Sequence, residues 1–235
     1  MTTHLNTRML RVENRIGIIK SKTSGSDSPA ECLSKDHFLN YAKDISYTYN
    51  SRGFRDNEWP EDLSDVIWCV GDSFTVGIGQ PFEETWPQLL QKKTGKRCLN
   101  LGEDGCSNDT MALRVQEICR SHGPKTIVVM WSYLSRRRIN NKNVHHDKDS
   151  FGSMEDVANF TKNYKIVNQL PASVVNLMIP NTTKCPDFLK RAVEQNSKLI
   201  TFKQLDYARD HNHFDVKTSK GVSQIIAKTI NKFDN

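Results

Sequence analysis

Short apolar runs recur from residue 66 onward, with mixed polar and apolar stretches between them. The runs have the length and continuity of buried strands, and they cover 66–70, 98–101, 126–130, 174–179 and 199–202. Stretches of helical spacing lie between and after them, at about 83–94, 108–121, 154–167, 185–196 and 219–233. Near-continuous apolar strands that alternate with helices predict an α/β domain with a central parallel sheet covered on both faces.

The first sixty residues show only weak periodicity. Residues 21–28 are polar and predict a loop or flexible arm, and residues 50–55 predict a turn or short hairpin. We therefore divide the chain into an N-terminal extension or arm over 1–50 and one domain over 51–235. A long charged stretch at 133–152 is expected to be a surface excursion of the chain, beside the edge of the sheet where the active site is expected.

Composition narrows the class of protein. The 235 residues are 37% hydrophobic with a mean hydropathy of −0.61, which is typical of a folded domain rather than a disordered or membrane protein. The first residues lack the basic and apolar segments of a secretory signal, so we expect a cytoplasmic protein without a membrane partner. The net charge of +6 is spread along the chain, with one tight cluster at 136–138, so nucleic-acid binding is not predicted.

Metal binding is not predicted either. The six cysteines form no Cys-x-x-Cys pair and several lie in apolar segments, which favours reduced, buried thiols over a zinc site. His145, His146 and Asp147 are adjacent, but no further ligands stand at compatible spacing, which favours a solvated loop. We expect no cofactor, and the sequence leaves the oligomeric state open.

A serine follows the first predicted strand directly, in the sequence Gly71-Asp72-Ser73. Glycine permits a sharp exit from the sheet, and the serine then lies at the carboxyl edge, where open α/β sheets bind their ligands. A serine hydroxyl is a weak nucleophile without an adjacent base. Asp210 and His213, near the other end of the chain, are candidates for the orienting carboxylate and the base.

Other residues compete for these two roles. His211 is a competing base, and Asp206 and Asp215 are competing acids. His213 is favoured because the Asp-x-x-His spacing lets one short loop hold both the base and its acid. His211 is adjacent to Asp210 and has less room to turn back onto that carboxylate.

Acyl transfer also requires donors aimed at the developing oxyanion. The backbone N–H of Ser73 is one candidate, because it lies at a strand-to-helix turn. The second predicted strand ends at Gly102, within 100–105, and a glycine there lets the backbone approach a substrate closely. An ordinary βα turn explains this segment equally well.

Taken together, three segments resemble the first, second and fifth sequence blocks of the SGNH (GDSL-type) hydrolases, namely Gly71-Asp72-Ser73, Asn100-Leu101-Gly102 and Asp210-x-x-His213. The resemblance covers about residues 50–233 and implies that family's three-layer α/β/α flavodoxin-like domain with a central parallel sheet. It implies Ser73 as nucleophile, His213 as base and Asp210 as its orienting acid. It also implies that the backbone of Ser73 and Gly102 donates to the oxyanion.

The chain departs from the family at the third block. That block normally reads Gly-x-Asn-Asp after the third strand, and its Asn side chain is a further oxyanion donor. This chain has Trp131-Ser132-Tyr133-Leu134 there, without an Asn. Tyr133 stands at about the Asn position with Ser132 beside it, and either hydroxyl could substitute as a donor.

The resemblance implies a serine esterase that works through an acyl-serine intermediate. Its expected partner is a small-molecule or carbohydrate ester, with a short acyl group such as acetyl preferred. Trp131, Tyr133 and the arginines at 136–138 either line a groove for sugar rings and acidic groups or form a core-edge aromatic and a solvated turn. Two other functions stay open: a catalytically impaired carbohydrate- or protein-binding module of this fold, and a small acyltransferase with the same triad.

Overall fold

A computed structural model describes residues 7–17, 21–32, 35–145, 153–180 and 198–233. Within them the strands are β1 (Ile67–Gly71), β2 (Cys98–Gly102), β3 (Thr126–Trp131), β4 (Arg136–Ile139), β5 (Lys142–His145), β6 (Ser173–Met178) and β7 (Leu199–Ile200). The main sheet has the order β2-β1-β3-β6-β7, and every neighbouring pair is parallel. The predicted central parallel sheet is confirmed.

Helices cover both faces of this sheet. They are α1 (Lys35–Leu39), α2 (Ser73–Val76), α3 (Trp86–Thr94), α4 (Asn108–His122), α5 (Met154–Asn168) and α6 (Val216–Ile230). The helices α3 and α6 pack together, and α4 and α5 form a second pair. This arrangement is the three-layer α/β/α domain that the sequence predicts; the helix predicted at 185–196 lies outside the described residues.

The strands are buried because helices cover both faces. Every residue of β1 and β2 is buried, which explains why these segments are mainly apolar, with Asn100 of β2 as the polar exception. Trp131, at the end of β3, is fully buried and donates its indole N–H to Asn176 Oδ1 over 2.9 Å. Trp131 therefore belongs to the core and does not line a groove.

An antiparallel hairpin, β4 with β5, occupies much of the predicted excursion at 133–152. Its turn is Asn140-Asn141, and both residues have positive φ angles of 49° and 62°. Two such residues suit the tight turns of two-residue hairpins, and Asn tolerates this backbone conformation better than most residues. The strand pattern itself, Arg-Arg-Arg-Ile, carries no apolar alternation, so the sequence analysis did not predict the hairpin.

The described part of residues 21–47 packs against the main domain without regular strands or long helices. Ser21 forms an isolated bridge with Tyr47, and Tyr47 is fully buried. Ile45 and Tyr47 pack in a small cluster with Val76 and Ile78, which lie just beyond the predicted nucleophile. None of the described helices is long and apolar enough to cross a membrane.

Candidate active site

Ser73 lies where β1 passes into the short helix α2. Asp72 caps that helix, because its Oδ1 accepts the backbone N–H of Phe74 over 3.0 Å. The strand and the helix approach so closely that a Cβ atom at Gly71 would overlap Thr75 Oγ1. Glycine before the nucleophile is thus required by packing, and the turn presents Ser73 at the carboxyl edge of the sheet.

His213 meets Ser73 from the loop before α6. Its Nε2 is 2.7 Å from Ser73 Oγ, and its Nδ1 is 2.6 Å from Asp210 Oδ2. The Asp210 carboxylate also accepts the backbone N–H of His213 on its other oxygen, at 3.0 Å. One four-residue turn therefore holds both the acid and the base, and the three side chains form one continuous hydrogen-bonded chain.

Electrostatics stabilise the charged forms of this pair. Burial disfavours ionisation of Asp210, but the charge of His213 and its hydrogen bond outweigh burial and hold the pKa of Asp210 well below its usual range. Burial likewise lowers the pKa of His213, and the charge and hydrogen bond of Asp210 outweigh it, so the net pKa of His213 is raised. Asp210 is therefore ionised at neutral pH and stabilises an imidazolium at His213.

The competing residues lie elsewhere. His211 has a positive φ of 56° and stacks on His37, with ring centroids 4.6 Å apart. Asp206 accepts backbone N–H groups at the start of α6. Asp215 forms an ion pair with Lys43 at 3.0 Å. The structure brings none of these three competitors into the hydrogen-bonded chain with Ser73.

Two of the candidate oxyanion donors already have hydrogen-bond acceptors of their own. The backbone N–H of Gly102 donates to Asn100 Oδ1 at 3.0 Å. Ser132 is fully buried, and its hydroxyl donates to Asp72 Oδ2. Tyr133 is half-buried beside His145, with ring centroids 5.6 Å apart.

Three further residues support the candidate site. The sequence predicts Asn100 only as part of a block and Arg55 only as fixing the entry loop or forming a structural ion pair, and it indicates no role for Ser26. Asn100 joins two loops, because its Nδ2 donates to the carbonyl of Thr75 at 2.9 Å while its Oδ1 holds Gly102. Arg55 is buried and donates to carbonyls of Ser46 and of residues 76, 77 and 80, which fixes the chain after α2. Ser26 donates to Asp210 over 2.6 Å. Asn100 belongs to the second of the three segments that resemble the SGNH hydrolases, and that resemblance is the signal in the sequence that points to it.

The fold has relatives among solved structures. The psychrotrophic esterase EstA from a Pseudoalteromonas species superposes with a TM-score of 0.52 at 19% identity, covering 73% of this chain and 100% of that one. A family two carbohydrate esterase from Clostridium thermocellum, in complex with cellohexaose, gives 0.53 at 14% identity, covering 76% and 67%. A Desulfitobacterium hafniense DCB-2 protein assigned to the lipolytic G-D-S-L family gives 0.50 at 13% identity, covering 71% and 99%.

No protein-family model and no curated protein sequence matches this chain, so the similarity is one of fold. The structural neighbours are lipolytic hydrolases of the GDSL/SGNH type and carbohydrate esterases. At the level of the fold, the chain is thus similar to ester hydrolases.

Proposed function

We propose that this protein is a serine esterase with Ser73 as nucleophile, His213 as base and Asp210 as the acid that orients the base. One observation carries the proposal: the chain of hydrogen bonds from Ser73 Oγ through the imidazole to Asp210, with distances of 2.7 and 2.6 Å. A serine hydroxyl within hydrogen-bond reach of an oriented histidine is the arrangement that activates it for attack.

In the proposed reaction, Ser73 Oγ attacks the ester carbonyl carbon while His213 Nε2 takes the hydroxyl proton. The tetrahedral intermediate then collapses, its bond to the alcohol oxygen breaks, and His213 returns the proton to that oxygen. Water attacks the resulting acyl-serine and gives its proton to His213. When the bond to Ser73 Oγ breaks, the carboxylic acid leaves and Ser73 recovers its proton.

The proposed oxyanion donors begin with the backbone N–H of Ser73, which has no intrahelical acceptor because it opens α2. Tyr133 is the proposed side-chain donor in place of the family's Asn. Gly102 and Ser132 would have to release Asn100 and Asp72 respectively before they could donate to a substrate. They are therefore secondary to the backbone N–H of Ser73.

The proposed substrate is a carbohydrate ester with a short acyl group. The carbohydrate esterase neighbours support this class, one of them with a bound cello-oligosaccharide. The test is release of acetate from acetylated oligosaccharides and from 4-nitrophenyl acetate by the wild type and by Ser73→Ala. Hydrolysis that Ser73→Ala abolishes is the expected result, whereas glycan binding without any hydrolysis would replace the esterase with a binding module.

A further inference from the structure

A part of the predicted N-terminal extension lies against the loop that carries the triad acid and base. We call this part the strap (residues 21–32 and 35–47) and that loop the triad loop (residues 206–215). Ser26 Oγ of the strap donates to Asp210 Oδ2 over 2.6 Å, and His213 Nδ1 contacts the same oxygen at the same distance. Residues 184 positions apart in the chain thus meet at one carboxylate oxygen.

The neighbouring residues anchor the strap firmly. Arg209 donates to both oxygens of Asp27, over 2.8 and 2.7 Å, and this carboxylate is buried. Tyr47 donates to the same carboxylate, and its hydroxyl accepts the backbone N–H of Gly79 at 2.8 Å. Paired, hydrogen-bonded buried groups hold a fixed geometry. Ser26 is therefore presented to Asp210 from a rigid support.

We propose that Ser26 is a positioning residue of the triad and that its hydroxyl fixes the Asp210 carboxylate in the orientation His213 requires. The inference rests on the proposed function, since it assigns Ser26 a role in the same site. The strap then contributes a residue that positions the catalytic side chains.

Two physical effects follow from the shared oxygen. The hydroxyl of Ser26 restrains rotation of the carboxylate, so that Oδ2 stays directed at Nδ1. The hydrogen bond from Ser26 also offsets part of the negative charge on Asp210 Oδ2, and that part of the charge would otherwise stabilise the imidazolium of His213. Loss of the hydroxyl should therefore leave more negative charge on Oδ2 and raise the pKa of His213, and the less restrained carboxylate should lower kcat.

The experiment compares Ser26→Ala, the conservative Ser26→Thr, and Ser24→Ala. Ser24 is a matched control, because it is a buried serine of the same strap that bonds Arg15 and Tyr49 instead of Asp210. The readouts are the His213 imidazole titration, followed by NMR without any substrate, the pH profile of kcat/KM, and the unfolding free energy. The NMR titration reports on Ser26 even if the protein hydrolyses no ester.

We expect Ser26→Ala to move the His213 titration and the acid limb of kcat/KM to higher pH, and to lower kcat by about tenfold, as loss of a charge-assisted hydrogen bond would. Ser26→Thr should restore both, and Ser24→Ala should lower stability without moving the titration. An unmoved titration in Ser26→Ala, or an equal movement in Ser24→Ala, would overturn the proposal. Absent ester hydrolysis in the wild type would instead count against the proposed function alone.

A second, independent observation concerns the arginines of the hairpin. Arg137 is paired with Asp156 and Glu155, at 3.5 and 3.6 Å. Arg136, by contrast, has no hydrogen-bonded acceptor or ion pair for its guanidinium among the described residues, and its Nε is buried without a partner. A Cβ atom at Gly105 would lie 2.9 Å from Arg136 Nη1.

The sheet order places the segments that hold Arg136 and Gly105 on the two sides of the strand that ends just before Ser73. Arg136 follows β3, whereas Gly105 follows β2, and β1 lies between these two strands. Arg136 therefore bridges the loops on either side of the carboxyl end of β1, where Ser73 lies. Its charge acts on buried Asp72, opposing the increase in pKa that burial causes there.

We infer that Arg136 forms a subsite for an anionic group, such as a carboxylate, on the ester substrate; this too rests on the proposed function. The test compares an acetylated glucuronoside with the matching acetylated glucoside, using the wild type, Arg136→Gln and the hairpin control Arg137→Gln. Binding of both esters to Ser73→Ala with and without Arg136→Gln supplies a readout that needs no turnover.

Arg136→Gln should lower kcat/KM and binding for the anionic ester by about tenfold or more, with little change for the neutral one, as loss of a charged contact would. Arg137→Gln should affect both esters equally or not at all. Equal losses for the two esters in Arg136→Gln, or no preference for the anionic ester in the wild type, would overturn the subsite.

Discussion

A Cβ atom at Gly79 would lie 2.8 Å from the Cβ of Ala208, so the chain after the nucleophile helix and the triad loop touch at backbone level. The Gly79 carbonyl also accepts the backbone N–H of Arg209 at 2.9 Å. Gly79 has a φ of +77°, a backbone conformation that residues with a Cβ atom rarely adopt. This contact contributes to the spacing between the segments that hold Ser73 and His213.

Gly79→Ala should therefore impair catalysis as well as folding. Gly95 is the matched control, because it has a similar φ of +72° but open space around its Cβ position. We expect Gly95→Ala to lose about 1 kcal/mol of unfolding free energy from backbone strain alone, with unchanged kcat. Gly79→Ala should lose more stability and at least about tenfold in kcat, because the triad loop must move. Unchanged kcat in a folded Gly79→Ala protein would contradict this account.

Asn100 connects the loop after β2 with the nucleophile helix. Asn100→Ala should lower the unfolding free energy by about 1–3 kcal/mol, because buried partners lose their hydrogen bonds, and should also lower kcat. Asn176 is an equally buried amide that bonds Trp131 in the core. Asn176→Ala should show a comparable stability loss by chemical denaturation with kcat retained; a parallel fall of kcat in both variants would show that Asn100 has no special role at the site.

The pH profile should reflect the coupling of His213 to Asp210. Neutral His213 is the proposed base, and its pKa is raised above the ordinary value of about 6.5, because Asp210 outweighs burial. Activity should therefore be lost as the pH falls through a midpoint above about 6.5. Asp210→Asn removes the charge, so the acid limb of kcat/KM should move to lower pH while kcat falls by about 10⁴. If the acid limb of kcat/KM has the same midpoint in Asp210→Asn as in the wild type, Asp210 and His213 are not the coupled acid and base of this site.

Ser132 and Tyr133 should differ in their effects, because Ser132 donates its hydroxyl to a buried carboxylate, whereas Tyr133 is the proposed oxyanion donor. Ser132→Ala should cost about 1–3 kcal/mol of stability, because Asp72 loses a donor. Tyr133→Phe should lower kcat by about 10²-fold, as loss of an oxyanion donor does. Steady-state kinetics and thermal unfolding of the two variants separate these roles; full activity in Tyr133→Phe would remove it as a donor.

Much of the fold could be predicted because the main sheet is covered on both faces. Runs such as 66–70 and 126–130 are apolar throughout, and length and continuity are signals that survive in a single sequence. The hairpin at 136–145 could not be predicted in this way, because its strands are polar and its turn depends on two asparagines with positive φ. The pattern of apolar and polar residues reports which positions are buried. Strands and helices that bury few residues are therefore missed when a sequence is analysed in this way.

The three residues of the proposed triad were selected from short local sequences, Gly-Asp-Ser and Asp-x-x-His, and they lie within hydrogen-bond distance of one another. Ser26 was missed for a physical reason. It reaches Asp210 through one hydrogen bond to a distant part of the chain, and such a contact leaves no periodicity in the sequence. For Trp131 the sequence left two alternatives, because an aromatic residue at the end of a strand can pack in the core or line a groove. The packing in the structure shows that Trp131 is buried in the core.

The most direct test of the central claim is labelling with a fluorophosphonate probe, with the adduct located by mass spectrometry. The reagent modifies a serine only where a base activates it. We predict a single adduct on Ser73 in the wild type, and no adduct in folded Ser73→Ala or His213→Ala proteins. A folded wild type that forms no adduct, or one that His213→Ala still labels equally at Ser73, would contradict an activated Ser73–His213–Asp210 triad.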